Sequence, residues 1–159
     1  MDGPSILITE IRREDELLRQ LLTACSAEQL EGSLPGGALN PKEILGHIAF
    51  WDRFAVDFFE QKLDADTPTP QPPANFDRLS NEELERIRSE SYTEVLDHYE
   101  VATAGLIAFL RLFWGRLSST QQLDFSVPLK HRRHHRLLLE RALGKGAVEP
   151  TSREMQQNG

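Results

Sequence analysis

Apolar residues in this chain recur at intervals of three and four, in four separate segments, and nowhere do they alternate as a strand requires. A chain that keeps the helical period almost throughout can bury its apolar surface only by packing helix on helix. The first segment covers residues 8–30, with Ile11, Leu17, Leu18, Leu21, Leu22 and Leu30 on the repeating positions. It stops at Glu31-Gly32-Ser33-Leu34-Pro35-Gly36-Gly37, a cluster of breakers. The second opens at Asn40-Pro41, a good N-cap followed by proline at the first helical position, and Glu43 completes a capping box. Its inward stripe is Ile44, His47, Ile48, Trp51, Phe54 and Phe58, with Asp52 and Asp57 expected on the exposed side. It ends before Thr67-Pro68-Thr69-Pro70-Gln71-Pro72-Pro73, too proline-rich for helix and expected to be a semi-rigid surface connection.

The third segment covers residues 80–116, with the apolar stripe Tyr92, Val95, Tyr99, Ala102, Leu106, Phe109, Leu110 and Phe113. It contains two helix-start signatures, Ser80-Asn81-Glu82-Glu83 and Ser91-Tyr92-Thr93-Glu94. A straight helix of that length would reach about 55 Å. The spacing therefore predicts a bend near Ser91, or a short helix followed by a longer one. The fourth segment starts near Ser126 or Pro128 and ends at Gly144. Together these predict about 60% helix, well above the usual third. The expected fold is all-α: a four-helix bundle, up-and-down or crossover, with the third helix long or bent. Residues 1–143 form one domain in this reading, and 144–159 are a polar tail without fixed structure.

Composition narrows the function classes. At 159 residues the chain has room for one domain with a sizeable core. A net charge of −7 argues against a general nucleic-acid binder. Mean hydropathy is −0.44, and no apolar run approaches membrane-spanning length. The N-terminus has neither the basic nor the apolar region of a signal peptide, so a cytoplasmic location is expected. The single cysteine, Cys25, excludes an internal disulfide framework and a multi-cysteine zinc site. It is expected on a helix, buried or half-buried and unreactive. No Gly-rich phosphate loop, nucleophile elbow or helix-borne HExxH motif occurs.

The five histidines are left to explain. His131 and His135 lie four apart, which on a helix puts both imidazoles on one face. His47, inward on the second helix, is the natural third member. Three histidines would leave open positions on a metal, the pattern of a catalytic site. Neutral imidazole suits zinc, nickel, iron or copper alike. The plainer alternative stays open: a hydrogen-bonded core histidine at 47, and a solvated basic surface along His131-Arg132-Arg133-His134-His135-Arg136. His98 borders the inward face, as a proton carrier beside a pocket or as a boundary residue bonded to solvent or a carboxylate. Trp51, one turn beyond His47, either walls a pocket or fills the core. Arg132, Arg133 and Arg136 are a solvated face or an attractor for an anionic ligand.

The run Asn40-Pro41-Lys42-Glu43-Ile44-Leu45-Gly46-His47-Ile48-Ala49-Phe50-Trp51 resembles the signature helix of the DinB/YfiT-like superfamily of bacterial four-helix bundles, with its histidine followed by tryptophan four residues on. Residues 81–113 are similar to that family's long third helix. His131 and His135, with Leu139 beyond, match its His-x-x-x-His pair. Helix 1 and the loop Ser26-Ala27-Glu28-Gln29-Leu30-Glu31-Gly32-Ser33-Leu34-Pro35-Gly36-Gly37 also have the expected form. The resemblance spans about 135 residues by the order and spacing of its motifs. One departure is that Pro128 lies only three residues before His131, which places that histidine in the helix's first turn.

The resemblance implies a divalent metal, zinc, nickel or iron, held by His47, His131 and His135. Relatives include thiol-dependent S-transferases and a thiol-dependent isomerase, in which the metal activates a low-molecular-weight thiol. Others have no known activity, and some have lost the metal. The expectation is thus a metal-dependent transferase or hydrolase acting on a small molecule, with homodimerisation plausible for the fold. No catalytic base can be named. The alternative is a non-catalytic stress-response or binding bundle.

Overall fold

The computed structural model describes residues 3–64 and 75–144. Seven α-helices occur among them: α1 (Gly3–Thr23), α2 (Ala27–Glu31), α3 (Pro41–Glu60), α4 (Phe76–Ser89), α5 (Tyr92–Phe113), α6 (Ser119–Asp124) and α7 (Ser126–Ala142). The four long ones, α1, α3, α5 and α7, build the all-α bundle. The proline-rich connection and the C-terminal tail predicted from sequence lie outside the described residues. None of the helices described is long and apolar enough to cross a membrane.

The helix starts follow local chemistry. Asn40 accepts from the Glu43 N–H at 2.9 Å, and the Glu43 carboxylate accepts from the Asn40 N–H at 3.2 Å. The same reciprocal box, Ser91 with Glu94, opens α5. Glu90, just before it, is extended, so the long third segment is two helices and not a bent one. The other start expected there, at Ser80, lies inside α4, which begins at Phe76. Residues 8–30 likewise do not form one helix. The chain breaks after Thr23, and a Ser26–Gln29 capping box starts α2. Cys25 sits in that joint, half-buried, and its Sγ donates to the Leu21 carbonyl at 3.3 Å. The helix α6 has no counterpart in the sequence reading. At the far end, Gly144 takes a left-handed φ of 70° and its N–H caps the Arg141 carbonyl at 3.1 Å, closing α7.

Contacts fix the helix directions. His47, Asp52 and Phe59 of α3 meet His135 and Arg132 of α7 and Phe125 at its N-cap in descending order, so these helices are antiparallel. Thr103 and Phe109 of α5 meet Arg132 and Phe125 in the same sense, so α5 runs parallel to α3. Glu10 and Glu14 of α1 meet Arg133 and Arg136 in ascending order, so α1 runs with α7. The bundle is therefore of the crossover type, up-down-down-up. The helix α4 packs on α3 within the connection between the two parallel helices. Gly46 permits that approach: a Cβ there would meet Ile87 side-chain carbons at 2.5 Å.

Two apolar clusters fill the interior. One gathers Leu18, Ile44, Leu45, Ile48, Val95, Tyr99 and Leu139 with their neighbours. The other gathers Ile11, Phe59, Leu106, Phe109, Leu110 and Phe125 with theirs. Between them each long helix contributes a buried polar residue: Glu14, Asp52, Thr103 and Arg132.

Candidate metal centre

The structure brings His47, His131 and His135 together. His47 lies in the second turn of α3, behind the Asn40 cap, which is further held by Asn40 Nδ2 donating to the Gly32 carbonyl at 3.1 Å. The histidine pair lies one turn apart on α7. Because α7 starts at Ser126, His131 falls in the second turn and not in the first turn that Pro128 suggested. The His47 ring centroid stands 4.8 Å from each of the other two, which are 4.6 Å from each other. All three present a ligating nitrogen within 4.8 Å of the others.

This donor set fits a metal ion. The Nε2 atoms of His131 and His135 are 3.1 Å apart. Two nitrogens bound at the usual distance to one tetrahedral ion stand about 3.3 Å apart. His135 Nδ1 is buried without a hydrogen-bond partner among the described residues. A proton on that atom leaves the Nε2 lone pair facing His131 and the cluster, the form that coordination needs. Protonation is suppressed throughout. Burial, with the other histidines adding repulsion, pushes the His131 imidazole down to about 3 and the His135 imidazole to about 4. Burial lowers His47 as well, with Glu83 pulling partly the other way. All three are therefore neutral at pH 7. His135 is buried while His47 and His131 are only partly so, which leaves one side of the cluster open towards the surface. Trp51 stands edge-on to His47 at 6.4 Å between ring centroids, in contact with Phe50 and Phe54.

Beside the histidines lies a buried ion pair that the sequence reading misplaced. Asp52 was expected on the exposed side and Arg132 on a solvated face, yet each is 1% exposed. Arg132 Nη1 donates to Asp52 Oδ1 at 2.8 Å, and Nη2 stands 2.5 Å from Oδ2 and donates to Thr103 Oγ1 at 2.9 Å. Burial pushes the Asp52 carboxyl up, and the guanidinium opposes that shift. A signal for this pair does exist in the sequence. The deeply buried positions of α3 are Ile44, Leu45, Ile48, Ala49, Asp52 and Phe59; Ile44 and Ile48 lie where expected, but the stripe is rotated beyond them, with Trp51, Phe54 and Phe58 half-buried beside it. On α7 they are Pro128, Arg132, His135 and Leu139. Opposite charges thus occupy core spacings on two helices.

Arg133 and Arg136 are also paired. Arg136 Nε donates to Glu14 Oε2 at 2.5 Å and Arg133 Nε to Glu14 Oε1 at 2.9 Å, so the expected solvated basic face is the α1–α7 interface. Burial raises the Glu14 carboxyl, and the two arginines more than offset this, leaving it below the ordinary carboxylate value. His134 is exposed. His98 is half exposed, 3.7 Å from a Glu90 carboxylate oxygen, and is not part of the converging group. That position matches the plainer of its two readings, a boundary histidine beside a carboxylate.

Residues 10–139 match the family model described as the DinB superfamily. No curated protein and no solved structure matches the chain.

Proposed function

The chain belongs to the DinB superfamily, and from that premise we propose that it is a metal-dependent enzyme whose ion is held by His47, His131 and His135. The observation that carries this reading is the convergence of three neutral imidazoles from two helices, with two nitrogens at the spacing of a shared ion. A divalent zinc, nickel or iron ion in such a site acts as a Lewis acid that lowers the pKa of a coordinated water or thiol. The chain's own part is to hold the nitrogens and control access. Burial keeps them unprotonated, and the α7 backbone sets two of them one turn apart. Trp51 packs edge-on to His47 and restrains its ring plane. The partly exposed side, between His47 and His131, is where a small-molecule substrate would enter.

The reaction class that fits is transfer to a low-molecular-weight thiol as co-substrate, or hydrolysis with water in its place. Cys25 lies in the α1–α2 joint and supplies no thiol to the triad in this reading. The working unit is the domain of residues 1–143, in the cytoplasm, alone or as a homodimer. The deciding experiment is metal analysis of protein expressed in metal-replete medium, beside His47→Ala. About one divalent ion per chain in the wild type, lost in the variant, is expected. Protein that folds but carries no stoichiometric metal would overturn the reading and leave a non-catalytic bundle.

A further inference from the structure

The Arg132–Asp52 pair sits where packing alone asks for apolar side chains. At such positions hydrophobic residues of similar volume often leave a protein as stable or more so, because desolvation of two charges offsets most of their attraction. What the pair adds is direction. A guanidinium meets a carboxylate in one plane and at one height along the helix, and an aliphatic contact has no such preference. Here the guanidinium is fixed by two helices at once, through Asp52 on α3 and Thr103 on α5. Its Cζ lies 5.9 Å from the Tyr99 ring centroid, and the Tyr99 hydroxyl donates to Asp15 of α1 at 2.7 Å. The side chain thus joins α7 directly to α3 and α5, and α1 is bonded in turn to Tyr99.

Its place relative to the histidines is the second observation. Arg132 directly follows His131 and precedes His135 by less than one turn. Asp52 follows His47 by little more than one turn on α3. The pair therefore crosses the same α3–α7 seam as the histidine cluster. A slip of α7 by one turn moves every side chain about 5.4 Å, which exceeds the 4.8 Å that encloses the three nitrogens. An apolar contact such as that of Leu139 has no preferred direction and penalises a small displacement only gradually, whereas a buried carboxylate and guanidinium would lose each other.

We infer that the Arg132–Asp52 pair is a register latch: it positions His131 and His135 against His47 and so sets the geometry of the metal centre. The inference rests on the metal-binding reading of the triad. Asp52 and Arg132 act through the ligands and are positioning residues.

The test is the double variant Asp52→Leu/Arg132→Met in the full chain. Cobalt(II) serves as the probe, followed by its visible absorption, and imidazole NMR resonances are recorded on the metal-free protein. Helicity and thermal midpoint should be retained, while cobalt affinity falls about tenfold or more and the imidazole resonances broaden or split. Affinity within about twofold of wild type, with one sharp set of resonances, would overturn the latch. Should the double variant fail to fold, Arg132→Lys decides. Lysine keeps the charge but cannot bridge Asp52 and Thr103 as a fork does, so affinity should fall several-fold, and wild-type affinity would refute the latch. Wild-type protein that binds no cobalt refutes the metal reading instead, and the imidazole resonances of the variants still judge the latch.

Discussion

The aromatic end of the bundle and the polar belt beside it are equally buried but do different physical work. At the aromatic end Phe59, Phe109 and Phe125 pack with ring centroids 4.6 and 5.5 Å apart, among aliphatic side chains from α1 and α5. Such contacts are strong in sum and weakly directional. In the belt, Asp52, Arg132 and Thr103 meet at 2.5–2.9 Å with fixed geometry. Its charges give up much of their attraction to desolvation. The apolar ends thus supply stability, and the belt supplies alignment. The difference explains how a site of three histidines can be held in register at the α3–α7 seam, where the contacts on either side of it are apolar.

The largest effect expected separates the two regions directly. Arg132→Met alone leaves Asp52 buried without its partner and should cost about 4 kcal/mol of unfolding free energy, measured by denaturant titration. Leu106→Ala, wholly buried at the aromatic end, should cost about 3 kcal/mol by loss of transfer energy and a cavity. The first cost is that of an orphaned charge, so Asp52→Leu/Arg132→Met should recover most of it; a double variant as unstable as Arg132→Met would give the belt a share of the stability and break the contrast. Gly46→Ala sharpens it from the α4 side. The added methyl meets Ile87, itself 1% exposed with little room to shift, and a loss of about 2 kcal/mol is expected.

The smallest expected effect is a slope with pH. Below about pH 6.5 the unfolded chain takes up protons on its histidines, whereas His131 and His135 in the folded, metal-free protein stay neutral to about 3 and 4. The unfolded state then binds more protons, so stability falls as pH drops from 6.5 towards 4. Each of the two histidines should contribute about 1 kcal/mol per pH unit, read from denaturant midpoints. Of the two regions only the polar one carries histidines, so His131→Leu should remove about half of the slope and Phe125→Leu should leave it unchanged.

Much of this was legible in the sequence, and for identifiable reasons. The Asn40 and Ser91 caps act within three residues, so their motifs alone fix the starts of α3 and α5. The four-residue spacing of His131 and His135 needs only that α7 be helical. The α5 stripe was placed correctly because every member is apolar. The failures lie where a distant partner decides. Asp52 and Arg132 were expected in water because charge is ordinarily exposed, and their pairing spans 80 residues of chain. The α3 stripe was rotated for the same reason, since counting only apolar residues passed over Asp52. Ser80 carries a capping motif but lies inside α4, where Glu83 is drawn to Arg86 and the Ser80 hydroxyl has no hydrogen-bond partner among the described residues. The short helix α6 rests on a Ser118–Gln121 box too brief to show a period.

The parallel course of α3 and α5 has a consequence for how the site comes into being. Its two halves lie on helices far apart in the chain, so no local hairpin assembles it. Contacts of such sequence separation form only once the intervening loop has closed, which is the slow part of folding. A nascent or clipped chain ending before α7 contains His47 but nothing for it to meet. Ion uptake would then report completion of the last helix, and excess metal during expression would favour finished molecules over partly folded ones.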